Sequence, residues 1–155
     1  MVPTEQAWLL LVEDSSADRE MLEHLLRRNG YTGKMTQLNG GATALSFLRE
    51  FEPTPHLILL DLNLGALGGL EFLKIRGEDP RLKEIPVVVV TGSKSPHDTS
   101  RSLRAGADAV LRKTDDLGLF EAAVQHLLEV EFPRLGIAAP HPPAAEAVAE
   151  QPRSR

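Results

Sequence analysis

Leu57-Ile58-Leu59-Leu60-Asp61 is four large apolar residues running straight into one carboxylate. A run this short, apolar at every position, suits a strand buried on both faces, as in a parallel sheet. The acid at its end then lies at the carboxyl edge of the sheet, where open α/β sheets place their ligand sites. Two more runs share the design: Trp8 to Val12 ends in Glu13-Asp14, and Val87 to Val90 ends in Thr91. A fourth, Ala109-Val110-Leu111, reaches Lys113 through Arg112. Four hydrophobic strands thus end in an acid pair, an acid, a hydroxyl and a lysine.

Helical patterns separate these strands. Ser15 or Ser16 can cap a first helix, with Asp18 placed to complement its N-terminus. Met21, Leu22, Leu25 and Leu26 give that helix an apolar face, and Asn29-Gly30 ends it. Residues 33–38 read as a weaker second strand. Ala44, Leu45, Phe47 and Leu48 mark a second helix, and Leu70, Phe72, Leu73 and Ile75 a third. Residues 77–86 read as a long polar connection. Ser95-Pro96 has the form of an N-cap with proline at the first helical position; Leu103 and Ala105 are that helix's main apolar residues, and Gly106 stops it. The last helix runs from about Asp116 to Glu131 on a stripe of Phe120, Val124 and Leu127. Five strands alternating with helices specify an α/β fold: a five-stranded parallel sheet with helices on both faces. The flavodoxin-like order 2-1-3-4-5 puts strands 1 and 3 side by side, and Glu13-Asp14 beside Asp61.

The chain of 155 residues favours one domain. Residues 1–6 read as a short N-terminal lead, 7–132 as the folded domain and 133–155 as a disordered tail rich in proline and alanine. A net charge of −5 without a dense basic cluster argues against nucleic-acid binding. No cysteine is present, which excludes disulfides, thiolate metal sites and thiol catalysis. The sequence has neither signal-peptide pattern nor membrane-spanning run, so a cytoplasmic location is the default expectation. His24, His56, His97, His126 and His141 are scattered without ligand spacing and read as surface residues, with no zinc site.

Three neighbouring carboxylates repel one another, and a proton or a bound cation must compensate. Oxygen ligands suit Mg²⁺, which keeps several waters and completes its shell with phosphate oxygens. A lysine and a threonine hydroxyl at the same edge could hold further phosphoryl oxygens. The remaining carboxylate can then act as a nucleophile and form an acyl phosphate.

Leu11-Val12-Glu13-Asp14-Ser15, Asp61, Thr91 and Lys113, in this order at strand ends, resemble the response-regulator receiver domain (CheY-like) of two-component signalling. The resemblance covers about residues 7–131. Asp61-Leu62-Asn63-Leu64 and Ile85 to Thr91 are worded most like single-domain regulators, including those paired with phytochrome histidine kinases. It implies a signalling phosphoacceptor rather than an enzyme with an external substrate. Asp61 would accept the phosphoryl group from a sensor histidine kinase, with a bacteriophytochrome among the candidates. Asp14, Asp61 and the backbone carbonyl of Asn63 would bind Mg²⁺ directly, with Glu13 acting through a metal-bound water. Thr91 and Lys113 would bind the phosphoryl group, Gly92 would leave room beside Thr91, and Asn63 and Ser93 would tune the lifetime of the acyl phosphate. The chain also departs from the family pattern. Thr114 follows the lysine where proline is usual, Val110 replaces the aromatic switch residue, and Gly65 replaces a loop proline.

Leu128, Val130 and Phe132 exceed what one core stripe needs. They suit either packing beneath the tail or a self-association face with Val110; the resemblance favours a homodimer through the fourth helix, fifth strand and fifth helix. The implied output is a protein–protein contact, a relay step or a phosphate sink. Three other readings compete. A phosphohydrolase would need an acid–base carboxylate where Asn63 stands and room for a cap. A flavin module would need a hydroxyl-rich phosphate loop, for which Ser15-Ser16 is weak support. A pseudo-receiver scaffold does not need the complete acidic and basic set.

Overall fold

The structure is a computed structural model and describes residues 1–141. Its five strands are β1 (Trp8–Val12), β2 (Lys34–Leu38), β3 (Leu57–Asp61), β4 (Val87–Thr91) and β5 (Ala109–Arg112). They form one parallel sheet in the expected order β2-β1-β3-β4-β5. The intervening helices are α1 (Ser16–Arg28), α2 (Gly41–Glu50), α3 (Gly69–Gly77), α4 (Pro96–Arg104) and α5 (Leu117–His126).

Each continuous apolar strand serves two cores, because successive side chains alternate faces. Leu9, Leu11, Leu57, Leu59, Val88 and Val90 pack with Leu22, Leu25 and Leu26 of α1 and Phe120 and Val124 of α5. Leu10, Val12, Ile58, Leu60, Val87 and Val89 pack with Ala44 and Leu48 of α2 and Phe72 and Leu73 of α3. Registers fix the edge: Val12 pairs with Leu60, and Asp61 with Val90. The residue that follows β1, Glu13, therefore arrives beside Asp61.

Local signals set the helix ends. Ser15 Oγ accepts from Asp18 N–H at 3.2 Å, Ser95 Oγ from His97 N–H at 3.2 Å and Asp116 Oδ1 from Leu119 N–H at 3.0 Å. Gly30 and Gly106, at φ of 105° and 111°, adopt the left-handed conformation that ends α1 and α4.

Four expectations change. Residues 77–86 form a packed turn rather than a polar connection: Leu82 and Ile85 are buried, and the buried Arg76 guanidinium donates to the carbonyls of Ile85 and Lys83. In α4 the inward residue is Ser102, whose hydroxyl donates to Asp98 O at 2.8 Å, while Leu103 is 46% exposed. The cap at Ser95 and the stop at Gly106 fix the register of this short helix, and Ser102 needs no outside partner. His56 is half-buried, and its Nδ1 accepts from Trp8 N–H at 3.0 Å, closing the start of β1.

The fourth change concerns the chain ends. After α5 the backbone makes a π turn, Leu127–Glu131, then a last helical turn, Phe132–Arg134. Continued α-helical spacing from Val124 and Leu128 would turn Glu131 inward. The wider π turn brings Phe132 inward instead. Leu128 and Phe132 are buried in the core beside Tyr31 and Ile137, so neither belongs to an interface face as expected; packing within the chain accounts for both. Order also extends past the expected boundary at 132. Val2 and Ile137 form a parallel bridge, and Thr4 Oγ1 donates to Ala138 O at 2.9 Å. The lead and the start of the expected tail thus hold each other, while 142–155 lie outside the described residues.

Candidate functional site

The site lies at the carboxyl edge, where the ends of β1, β3, β4 and β5 meet. The sheet presents Glu13, Asp14, Asp61 and Thr91 there because each follows or ends a strand, β1, β3 or β4, buried on both faces, while Lys113 follows the half-buried edge strand β5. An open cleft of about 810 Å³ is lined by Glu13, Asp14, Asp61, Asn63, Gly92, Lys94, Lys113 and Thr114, with Met21, Leu22 and Phe120 on its apolar side. Glu13, Asp14 and Asp61 each offer an oxygen, and these oxygens all lie within 4.8 Å of one another.

The acids are held by their own loops. Ser15 N–H donates to Glu13 Oε2 at 3.1 Å, and Arg19 of α1 donates to the Glu13 carbonyl at 2.7 Å. Asp14 is exposed, and its Oδ2 lies 3.5 Å from the Gly65 amide. Buried Leu64 anchors the loop after β3, while Gly65 is exposed at its tip. A Cβ at Gly69 would come within 2.6 Å of the Asp61 carbonyl, so glycine lets α3 start directly beneath the acid.

Lys113 is carried in by β5, its N–H donating to Thr91 O at 2.8 Å. Its ammonium donates to Glu13 Oε1 at 2.6 Å and to Asp18 Oδ2 at 2.9 Å, and stands 3.6 Å from Asp61 Oδ1. Burial pushes this ammonium down, but the bonds to Glu13 and Asp18 and the Asp61 charge more than offset it and hold its pKa above the ordinary lysine value. Burial pushes the Glu13 carboxyl up; the bond from Lys113 opposes this and neighbouring Asp61 adds to it, leaving a pKa of about 7.

Buried Thr91 accepts from Ser93 N–H through Oγ1 at 3.1 Å, and a hydroxyl that accepts keeps its own hydrogen to donate. Ser93 Oγ donates to Asp98 Oδ2 at 2.5 Å, tying this loop to α4. A Cβ at Gly92 would meet nothing within 4 Å, so the space beside Thr91 is open. The Lys113–Thr114 bond is trans; the cis bond among the described residues is Glu52–Pro53.

Asp61 Oδ1 is buried without a hydrogen-bond partner. Burying a carboxylate oxygen unpaired is costly. With Glu13 and Asp14 close by, the edge carries more negative charge than Lys113 balances, and its donors are hard oxygens. These residues fit a divalent cation such as Mg²⁺.

The structure brings together every strand-end residue singled out in the sequence. Val110 lies on β5, half-buried against the α2/α3 core, away from the acids. Two contributors escaped sequence reasoning: Arg19, which holds the Glu13 carbonyl, and Asp18, read only as a helix-terminus charge. Ser15 as N-cap was the available signal, since it puts Asp18 in a first turn that borders the sheet edge.

A parallel sheet of this order with an acid triad, a hydroxyl and a lysine at one edge defines a receiver-type signalling module. The chain belongs to the response regulator receiver domain family, whose sequence pattern matches residues 9–125. It is 39% identical over 114 residues to response regulator Rcp1 of Synechocystis sp., covering 70% of this chain and 78% of that protein. The crystal structure of the Mn(2+)-bound form of Rcp1 matches with a TM-score of 0.73 at 34% identity, over 81% of this chain and 94% of that one. The phosphorylated cyanobacterial phytochrome response regulator RcpA matches with a TM-score of 0.73 at 30% identity, over 80% of this chain and 92% of that one. This is a signalling fold related to phytochrome response regulators. Among the described residues no helix is long and apolar enough to cross a membrane.

Proposed function

We propose that the chain is a response-regulator receiver that accepts a phosphoryl group on Asp61 from a sensor histidine kinase. The observation that carries this reading is Asp61 Oδ1, buried and unpartnered amid two further acids with a lysine 3.6 Å away. A carboxylate oxygen of Asp61 attacks the phosphorus of a phosphohistidine. The P–N bond breaks, its electron pair stays on the imidazole nitrogen, and the Asp61 oxygen–phosphorus bond forms. Lys113 and the Thr91 hydroxyl each hold a phosphoryl oxygen. Glu13, Asp14, Asp61 and the Asn63 carbonyl would hold Mg²⁺, which would supply charge neutralisation at the transferring oxygens. Asn63 and Ser93 border the phosphoryl group and set access of the water that later hydrolyses it.

The chain turns over only its own aspartyl phosphate, and its output is a protein contact, a relay step or a phosphate sink in the cytoplasm, with no nucleic acid or membrane partner. The similarity of this chain to RcpA, a phytochrome response regulator, supports a phytochrome-type kinase as donor. A homodimer through α4, β5 and α5 fits the exposure of Leu103 (46%) and Leu119 (63%) beside half-buried Val110. Incubation with an autophosphorylated phytochrome-type histidine kinase tests the donor: label is expected to move to the wild-type chain and not to Asp61→Asn. Label on both proteins, or on neither, contradicts the assignment.

A further inference from the structure

We propose that Asp18 is a positioning residue that acts through Lys113, an inference that rests on the phosphoacceptor reading above. An ammonium has three N–H donors. Glu13 and Asp18 take two of them, at 2.6 and 2.9 Å, from two elements: the end of β1 and the first turn of α1. Asp61 Oδ1, at 3.6 Å, takes none and has no other partner. One donor is thus left for the Asp61 side, and a phosphoryl oxygen attached to Asp61 reaches nearer to it than Oδ1 does. A lysine side chain loses considerable rotamer freedom when fixed. Two carboxylates on rigid elements fix it before the phosphoryl group arrives, which is the kind of preorganisation that phosphoryl transfer rewards.

Asp18 is itself anchored, since its N–H is bonded to the capping Ser15 Oγ at 3.2 Å. That bond uses the backbone, so substituting the side chain leaves the cap intact. The Asp18 carboxylate is 49% exposed, and such an ion pair adds little to folding stability. It lies on the lysine and not on the acids that face the cation.

The test is the rate of phosphorylation by a small phosphoramidate donor with saturating Mg²⁺, followed by intact mass. Asp18→Ala is expected to lower the maximal rate roughly two- to five-fold, as loss of a part-exposed ion pair felt in the transition state. Asp18→Asn should fall between it and wild type. The half-saturating donor concentration should not rise, and the Mg²⁺ affinity by calorimetry should change by less than about two-fold. In a Lys113→Ala background the same substitution should have no further effect, because the group it positions is gone. Equal slowing in both backgrounds, or an unchanged or faster rate in the otherwise wild-type protein, overturns the proposal. A wild type that takes up no phosphoryl group overturns the phosphoacceptor reading instead, and this inference with it.

Discussion

At the scale of single residues, Glu13 shows what burial does to a strand-end acid. Its carboxyl is raised from 4.5 to about 7, by burial first and by the Asp61 charge alongside it. The metal-free folded chain therefore holds a proton in that interval that the unfolded chain has released. The stability this group contributes is complete below its unfolded value and is lost as pH rises through about 7. Urea midpoints of metal-free wild type, measured across that interval, should fall relative to those of Glu13→Gln; parallel profiles would contradict the shift. The identities of Glu13, Asp14, Asp61, Thr91 and Lys113 were legible because each terminates an apolar run. Their couplings were not. The hydrogen bond from Lys113 to Asp18 spans 95 residues, and no spacing rule reaches that far.

Elements were legible where local chemistry sets them. Buried strands, the Ser15 and Ser95 caps and the Gly30 and Gly106 stops all stand where the sequence places them. Two of the misses share one cause: helical periodicity cannot see a change of register. The π turn at Leu127–Glu131 shifts the inward position by one residue, and in α4 the caps leave Ser102 rather than Leu103 inside. Phe132 is fully buried and meets Tyr31 edge-on at 6.0 Å between ring centroids. Phe132→Ala should therefore cost about 3–5 kcal/mol by chemical denaturation, with sedimentation unchanged. A cost below about 1 kcal/mol together with altered association would return Phe132 to an interface.

For the whole molecule, the strand order was legible because five alternating elements and right-handed crossovers leave few arrangements. The belt joining Val2 to Ile137 was not, since its partners lie at opposite ends of the chain and carry no turn or periodic signal. With Leu128 and Phe132 inside, the proposed homodimer would have to rest on Leu103, Val110 and Leu119. Sedimentation over a concentration series should show a dimer weakened by Leu103→Glu with Leu119→Glu; a monomer at every concentration, phosphorylated or not, would contradict it. The central claim is that this edge makes Asp61 a phosphoacceptor. The most direct measurement is intact mass after incubation with Mg²⁺ and a small phosphodonor, for wild type and Asp61→Asn. One phosphoryl group is predicted on the wild type, and none on the mutant or on wild type with the metal chelated. A wild type left unmodified by both the small donor and a phosphorylated kinase, or a mutant modified equally, would contradict the account.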